Sequence, residues 1–190
     1  MQTTTTIAPL RPVIRVALVT VLLLLVPLLA MQFTPEVNWS PMDFAVGGAL
    51  LFIAGMSWTL LSAKSTAAAY RLAAAIAVAT ELLLVWGNLA VVLIGSEPNP
   101  ANLMYAGVIG VAIIGALAAR GRASGLSRAL FATALAQALV AVIALAGGLG
   151  ADESPGRLGI LILNGGFVAL FALSGWLFAR AAHRQADKIA

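Results

Sequence analysis

LAAAIAVATELLLVWGNLAVVLIGSEPNPANLMY, running from Leu72 to Tyr105, decides the fold. From Leu72 to Gly95 it is apolar except for a few positions, among them Thr80, Glu81 and Asn88. That run exceeds the roughly 20 residues a bilayer-spanning helix needs. Glu81 stands near its middle. The polar turn Ser96-Glu97-Pro98-Asn99-Pro100 then sends the chain back into a second apolar run. Two prolines stiffen this turn, so the helices on either side are expected as close antiparallel neighbours.

The rest of the chain repeats the pattern. Of its 190 residues 62% are hydrophobic and 9% charged, whereas a soluble domain carries about 25% charged residues. So few charges cannot solvate a surface, and lipid is the expected solvent. In lipid every backbone group must be paired internally, which leaves helices or closed barrels. The runs are continuous, not alternating, and rich in Ala and Leu, which selects helices. The expected fold is an all-α, six-helix transmembrane bundle. Its helices fall at about 13–31, 42–62, 69–95, 100–119, 127–149 and 155–179, with polar tails at 1–12 and 181–190. A positive start before an apolar run also describes a signal peptide. The length of the first run, and the lack of a small-x-small site after Ala30, favour a retained span.

Charge sets the orientation. With the N-terminus in the cytoplasm, Arg11, Arg15, Lys64, Arg71, Arg120, Arg122, Arg128, Arg180, Arg184 and Lys188 fall inside, and Arg157 alone falls outside. Such a bias is the positive-inside pattern. It places both termini in the cytoplasm and suits the inner membrane of a bacterium. The net charge of +4 is thereby explained without nucleic acid, for which no recognition helix or basic–aromatic stripe is present. The chain has no Cys and one His, His183. Thiolate metal sites, disulfides and His-rich sites are thus excluded, and no cofactor is expected.

Caps recur. Ser40-Pro41, Asn99-Pro100 and Ser154-Pro155 each close an outer loop with a capping residue and a proline. Ser40 and Asp43 have capping-box spacing. The recurrence suggests three tandem helical hairpins, or else only the common demand of helix starts for a cap and a proline.

Glu81 is the first candidate for function, since an ionisable residue inside a membrane is a functional hypothesis by default. A charged carboxylate at the midplane costs about 2.5–3.5 kcal/mol on insertion scales. Asn88 lies two turns further on the same face. Gln137 on the fifth helix has the depth of Glu81, and Asn164 on the sixth that of Asn88. These four form a candidate solute- or cation-binding seam, pairing Glu81 with Gln137 and Asn88 with Asn164. The alternative is polar glue between helices. Glu97, Asn99 and Asn102 are candidates for an outer mouth, or for a capped turn. Gly107, Gly110 and Gly115, with the small residues of the fifth helix, are expected to pack helices closely. Trp39, Trp58, Trp176, Tyr70 and Tyr105 are expected as interfacial anchors, with Trp86 packing inside.

The run W-x-N-L-A-V-x-x-x-G-S-E-x-N-P-A-N-L-M-Y, Trp86 to Tyr105, resembles a signature of small, uncharacterised bacterial integral membrane proteins. The resemblance covers about twenty residues and implies membrane location and no established activity. No catalytic constellation is visible: no His lies within the membrane, and no acids pair at one depth. The expectation is a non-enzymatic protein, either a small carrier or channel for a solute or cation, or a subunit that assembles with a membrane-protein partner or with itself.

Overall fold

Side-chain caps and tertiary contacts both help to set where the apolar runs become discrete helices. The computed structural model describes residues 10–91, 93–95 and 99–186. It contains α1 (Leu10–Phe33), α2 (Pro41–Ser62), α3 (Ala68–Ala90), α4 (Met104–Ala119), α5 (Ala123–Ala146) and α6 (Gly156–Ala186). A 3-10 turn, Pro100–Leu103, leads into α4. Each helix, with that turn counted into the fourth span, is long and apolar enough to cross a membrane. No strand occurs among the described residues. The chain is an all-helical, multi-pass membrane protein.

Local chemistry accounts for several boundaries. At α2 the Ser40 backbone N–H and hydroxyl both donate to the Asp43 carboxylate, at 2.7 and 2.8 Å, and the Asp43 N–H donates back to the Ser40 hydroxyl. This is the expected capping box, with Pro41 as the first helical residue. The Asn99 side chain accepts from the Ala101 N–H and caps the turn before α4. The third member of the series differs: α6 begins at Gly156, whose φ is +68°, and not at Pro155. It then runs on to Ala186, through residues expected to be a polar tail.

The chain divides into two units, Met1–Leu60 and Leu61–Ala190. In the first, α1 lies against α2 where α2 lacks side chains. A Cβ at Gly48 would fall 3.2 Å from Leu24 Cδ1, and one at Gly55 2.7 Å from Val16 Cγ1. The two glycines are seven residues apart and share a face. Thr20 is the buried residue of α1, while most of its Leu and Val side chains are exposed. In hydrocarbon such exposure carries no penalty, because lipid tails are as apolar as leucine.

In the second unit α3 packs on α6, α6 on α5, and α5 on α4. Small residues set the close approaches. A Cβ on Gly115 would sit 2.6 Å from the Ala129 Cβ, one on Gly125 2.9 Å from that of Ala119, and one on Gly175 3.3 Å from the Phe131 ring. Between α3 and α6 the Tyr70 and Phe178 rings meet edge to face with centroids 4.9 Å apart. The Ser174 hydroxyl donates to the Ala73 carbonyl at 2.7 Å.

Three expectations are corrected. α3 and α4 are not close neighbours along their lengths, and they do not form a packed hairpin. α3 ends at Ala90, short of the expected Gly95, so a longer link joins it to α4 and α6 takes the place beside α3. Gly107 and Gly110 do not pack helices among the described residues of the second unit, since a Cβ on either would meet nothing within 4 Å there. Tyr70 and Tyr105 are not interfacial anchors. Both are buried, at 1% and 0% exposure.

Candidate functional site

The polar interior of the second unit is built from two helices that supply amides and one that supplies a phenol. Asn164 is on α6, Gln137 on α5 and Tyr105 near the start of α4. All three are at most 1% exposed. The Asn164 Oδ1 accepts twice, from the Tyr105 hydroxyl at 2.9 Å and from the Gln137 amide nitrogen at 2.8 Å. Its own Nδ2 donates to the Ile160 carbonyl one turn back, also at 2.8 Å. One asparagine therefore ties α4, α5 and α6 together. Thr133, a turn before Gln137, returns its hydroxyl to the Ala129 carbonyl and asks nothing of a neighbouring helix.

The expected pairings are thus replaced. Gln137 meets Asn164 and not Glu81. Asn88 donates to the Asn102 carbonyl at 3.3 Å and not to Asn164. Depth along a helix is legible in sequence, but azimuth is not. The placement of α6 between α3 and α5 decides which side chains face each other.

Asn99 and Asn102 serve the turn. The Asn102 Oδ1 accepts from the Ile94 N–H at 3.0 Å, and its Nδ2 donates to the Ile94 carbonyl at 2.9 Å. This two-point clamp holds Leu93, Ile94 and Gly95 buried over the end of the helices. Gly95, with φ +65°, is pressed there: a Cβ would lie 2.8 Å from the Asn99 amide, 2.6 Å from the Glu153 carboxylate and 3.3 Å from Gly150 Cα. The two loops at this end of the unit, α3–α4 and α5–α6, therefore touch backbone to backbone. Glu97, the third candidate for an outer mouth, lies outside the described residues.

Glu81 stands apart. It follows Ala74 by two turns and precedes Asn88 by two turns, so all three share one stripe of α3. Asn88 reaches the turn before α4 from that stripe. Both Glu81 carboxyl oxygens are buried, and neither has a hydrogen-bond partner among the described residues. The Asn88 Oδ1 and the Gln137 Oε1 are buried and unpartnered as well. Every one of these unsatisfied atoms is an oxygen. As amide and carboxylate oxygens they accept hydrogen bonds or bind cations. An unpaired buried polar group costs about 1–3 kcal/mol. Among the described residues the interior thus leaves four oxygens unmatched.

Tyr105 was the residue missed in sequence. Tyr105 and Val108 make an i, i+3 pair, and both are buried, but that spacing alone does not separate a core tyrosine from an anchor. Ser174 was missed too, although Asn164, Phe171, Ser174 and Phe178 recur at helical spacing along the buried face of α6.

Searches among family models, curated proteins and solved structures gave no match to this chain.

Proposed function

We propose that the chain is a small carrier- or channel-like protein of a bacterial cytoplasmic membrane, with both termini inside, that handles a small cation or a solute rich in donors. Glu81 is its binding or coupling carboxylate. Asn88 and Gln137 are supporting acceptors, and Asn164 orients Gln137. The observation that carries this reading is the Glu81 carboxyl group, both oxygens buried with no partner among the described residues. A side chain kept only as glue between helices is expected to have found its partner, as Asn164 has with Gln137 and Tyr105. The basic residues clustered on one side of the spans support the orientation, and the Trp86–Tyr105 resemblance supports the bacterial setting. The test is flux of monovalent cations or protons from proteoliposomes. Glu81→Gln is expected to lower it by about tenfold or more, the loss that follows from one charged interaction. Flux equal to wild type in every such assay sinks the reading.

One observation favours a second role, that of an assembly subunit. A Cβ on Gly107 or Gly110 of α4, or on Gly165 or Gly166 of α6, would meet nothing within 4 Å. Small residues on open helix faces let another membrane helix approach closely. Co-purification of one stoichiometric membrane partner, lost in Gly107→Leu or Gly165→Leu, would establish this role. A monodisperse monomer that supports flux favours the carrier.

A further inference from the structure

A cavity of about 450 Å³ opens at the other end of the second unit, where the α2–α3 and α4–α5 links meet the last turns of α6. This volume lies in the range of small-ligand sites, about 300–1,000 Å³. Lys64, Tyr70, Arg122, Ser124 and Gln185 are among the residues lining it. Two of these are cations, and no carboxylate lines it among the described residues.

The lining is held in place. The Tyr70 hydroxyl donates to the Gly121 carbonyl at 2.8 Å, and its ring is fixed against Phe178. Gly121, at φ +80°, has no side chain where the Lys64 stem passes: a Cβ there would fall 3.0 Å from Lys64 Cγ. The lysine is thereby laid across the α4–α5 turn. Arg122 precedes α5 without capping it by a side-chain hydrogen bond. The N–H groups of Ala123 and Ser124, which belong to the first turn of α5, have no intrahelical partner. They add the positive end of a 24-residue helix to the two cations.

The cavity also lies at the end of a helix longer than a hydrocarbon core requires. α6 has 31 residues, about 46 Å of helix, against a hydrocarbon core of about 30 Å. The Arg180 guanidinium stacks over Trp176 at 3.8 Å, an arrangement suited to the membrane–water boundary. Gln185, on the cavity wall, is more than a turn beyond that pair.

We infer that this cavity binds a phosphate group. Lys64 serves as a point charge, the Arg122 guanidinium as a fork across two phosphate oxygens, and Ser124 as a further donor. A phospholipid headgroup and free phosphate share this chemistry. The experiment separates them. Native mass spectrometry of the detergent-solubilised chain is titrated with dioctanoyl phosphatidylglycerol, with and without inorganic phosphate. One lipid molecule is expected to be retained saturably. Lys64→Gln/Arg122→Gln is expected to weaken retention by about tenfold or more, and Lys64→Arg to keep it. Arg120→Gln/Arg184→Gln removes the same charge from exposed positions outside the cavity lining and is expected to leave it within about twofold of wild type. Retention that survives millimolar phosphate assigns the site to a lipid headgroup, and displacement by phosphate assigns it to the free anion. Either supports a phosphate site. Equal losses in the two double variants would mean diffuse charge attraction and overturn the inference. So would a lack of loss in Lys64→Gln/Arg122→Gln, or a wild type that binds neither probe. Lys64 and Arg122 are both exposed, so folding is expected to survive, and single Lys64→Gln repeats the test with one change.

Discussion

Asn164 ties α4, α5 and α6 together through a single side chain. Its carbonyl oxygen serves Tyr105 and Gln137 at once. Asn164→Leu leaves a phenol and an amide N–H unpaired among buried neighbours, at about 1–3 kcal/mol for each orphan. Tyr105→Phe removes one donor while Gln137 still serves the oxygen, so it should cost only about 0.6 kcal/mol, the average for an interhelical bond in a membrane. Unfolding in mixed micelles should rank them in that order, and a reversed ranking would show that Asn164 is not the hub. Asn164 and Gln137 could be singled out in sequence as polar residues at membrane depth. Tyr105 could not, because a tyrosine near a helix end is compatible with an anchor or a core residue until its azimuth is known. Asn102 shows the same limit. In sequence it sits among the polar turn residues, and only the fold brings it to Ile94.

At the scale of elements, the capped start of α2 was legible and the end of α3 was not. Ser40 and Asp43 carry their capping box in their spacing. The end of α3 carries no such sign, because Val91, Leu93 and Ile94 are as apolar as the helix before them. What stops α3 is tertiary: Asn102 takes both the N–H and the carbonyl of Ile94, groups that a continuing helix would use for itself. Glycines divide in the same way. Gly115 and Gly107 lie on one helix and look alike in sequence, yet only Gly115 touches a neighbour. Gly115→Val should destabilise the α4–α5 contact by about 1–3 kcal/mol through overpacking. Gly107→Ala should be neutral or slightly stabilising, since alanine is the better helix former. Thermal unfolding in detergent checks the pair, and equal losses would contradict the assigned packing.

For the whole molecule, the number of spans follows from composition, and their neighbours do not. Six apolar runs announce six helices whatever the packing. That α6 lies between α3 and α5 depends on the length of the α3–α4 link, which sequence placed too short. Orientation rests on the distribution of Lys and Arg. The absence of native cysteine makes it directly testable. Ser124 and Ser154 are both exposed, at opposite ends of the second unit. In intact cells a membrane-impermeant maleimide should label Ser154→Cys and spare Ser124→Cys. Labelling of Ser124→Cys alone would invert the topology.

If Glu81 binds or couples, its carboxyl group within the membrane-spanning region is reachable by a mobile ion or proton. Infrared difference spectroscopy of the lipid-reconstituted protein, with the Glu81→Gln spectrum subtracted, reads that group alone. A Glu81 carboxyl band is expected to be lost reversibly as the medium goes from acid to alkaline, with a carboxylate band rising in its place. A carboxyl band that stays protonated across the whole range would contradict it, leaving Glu81 as sealed glue between helices.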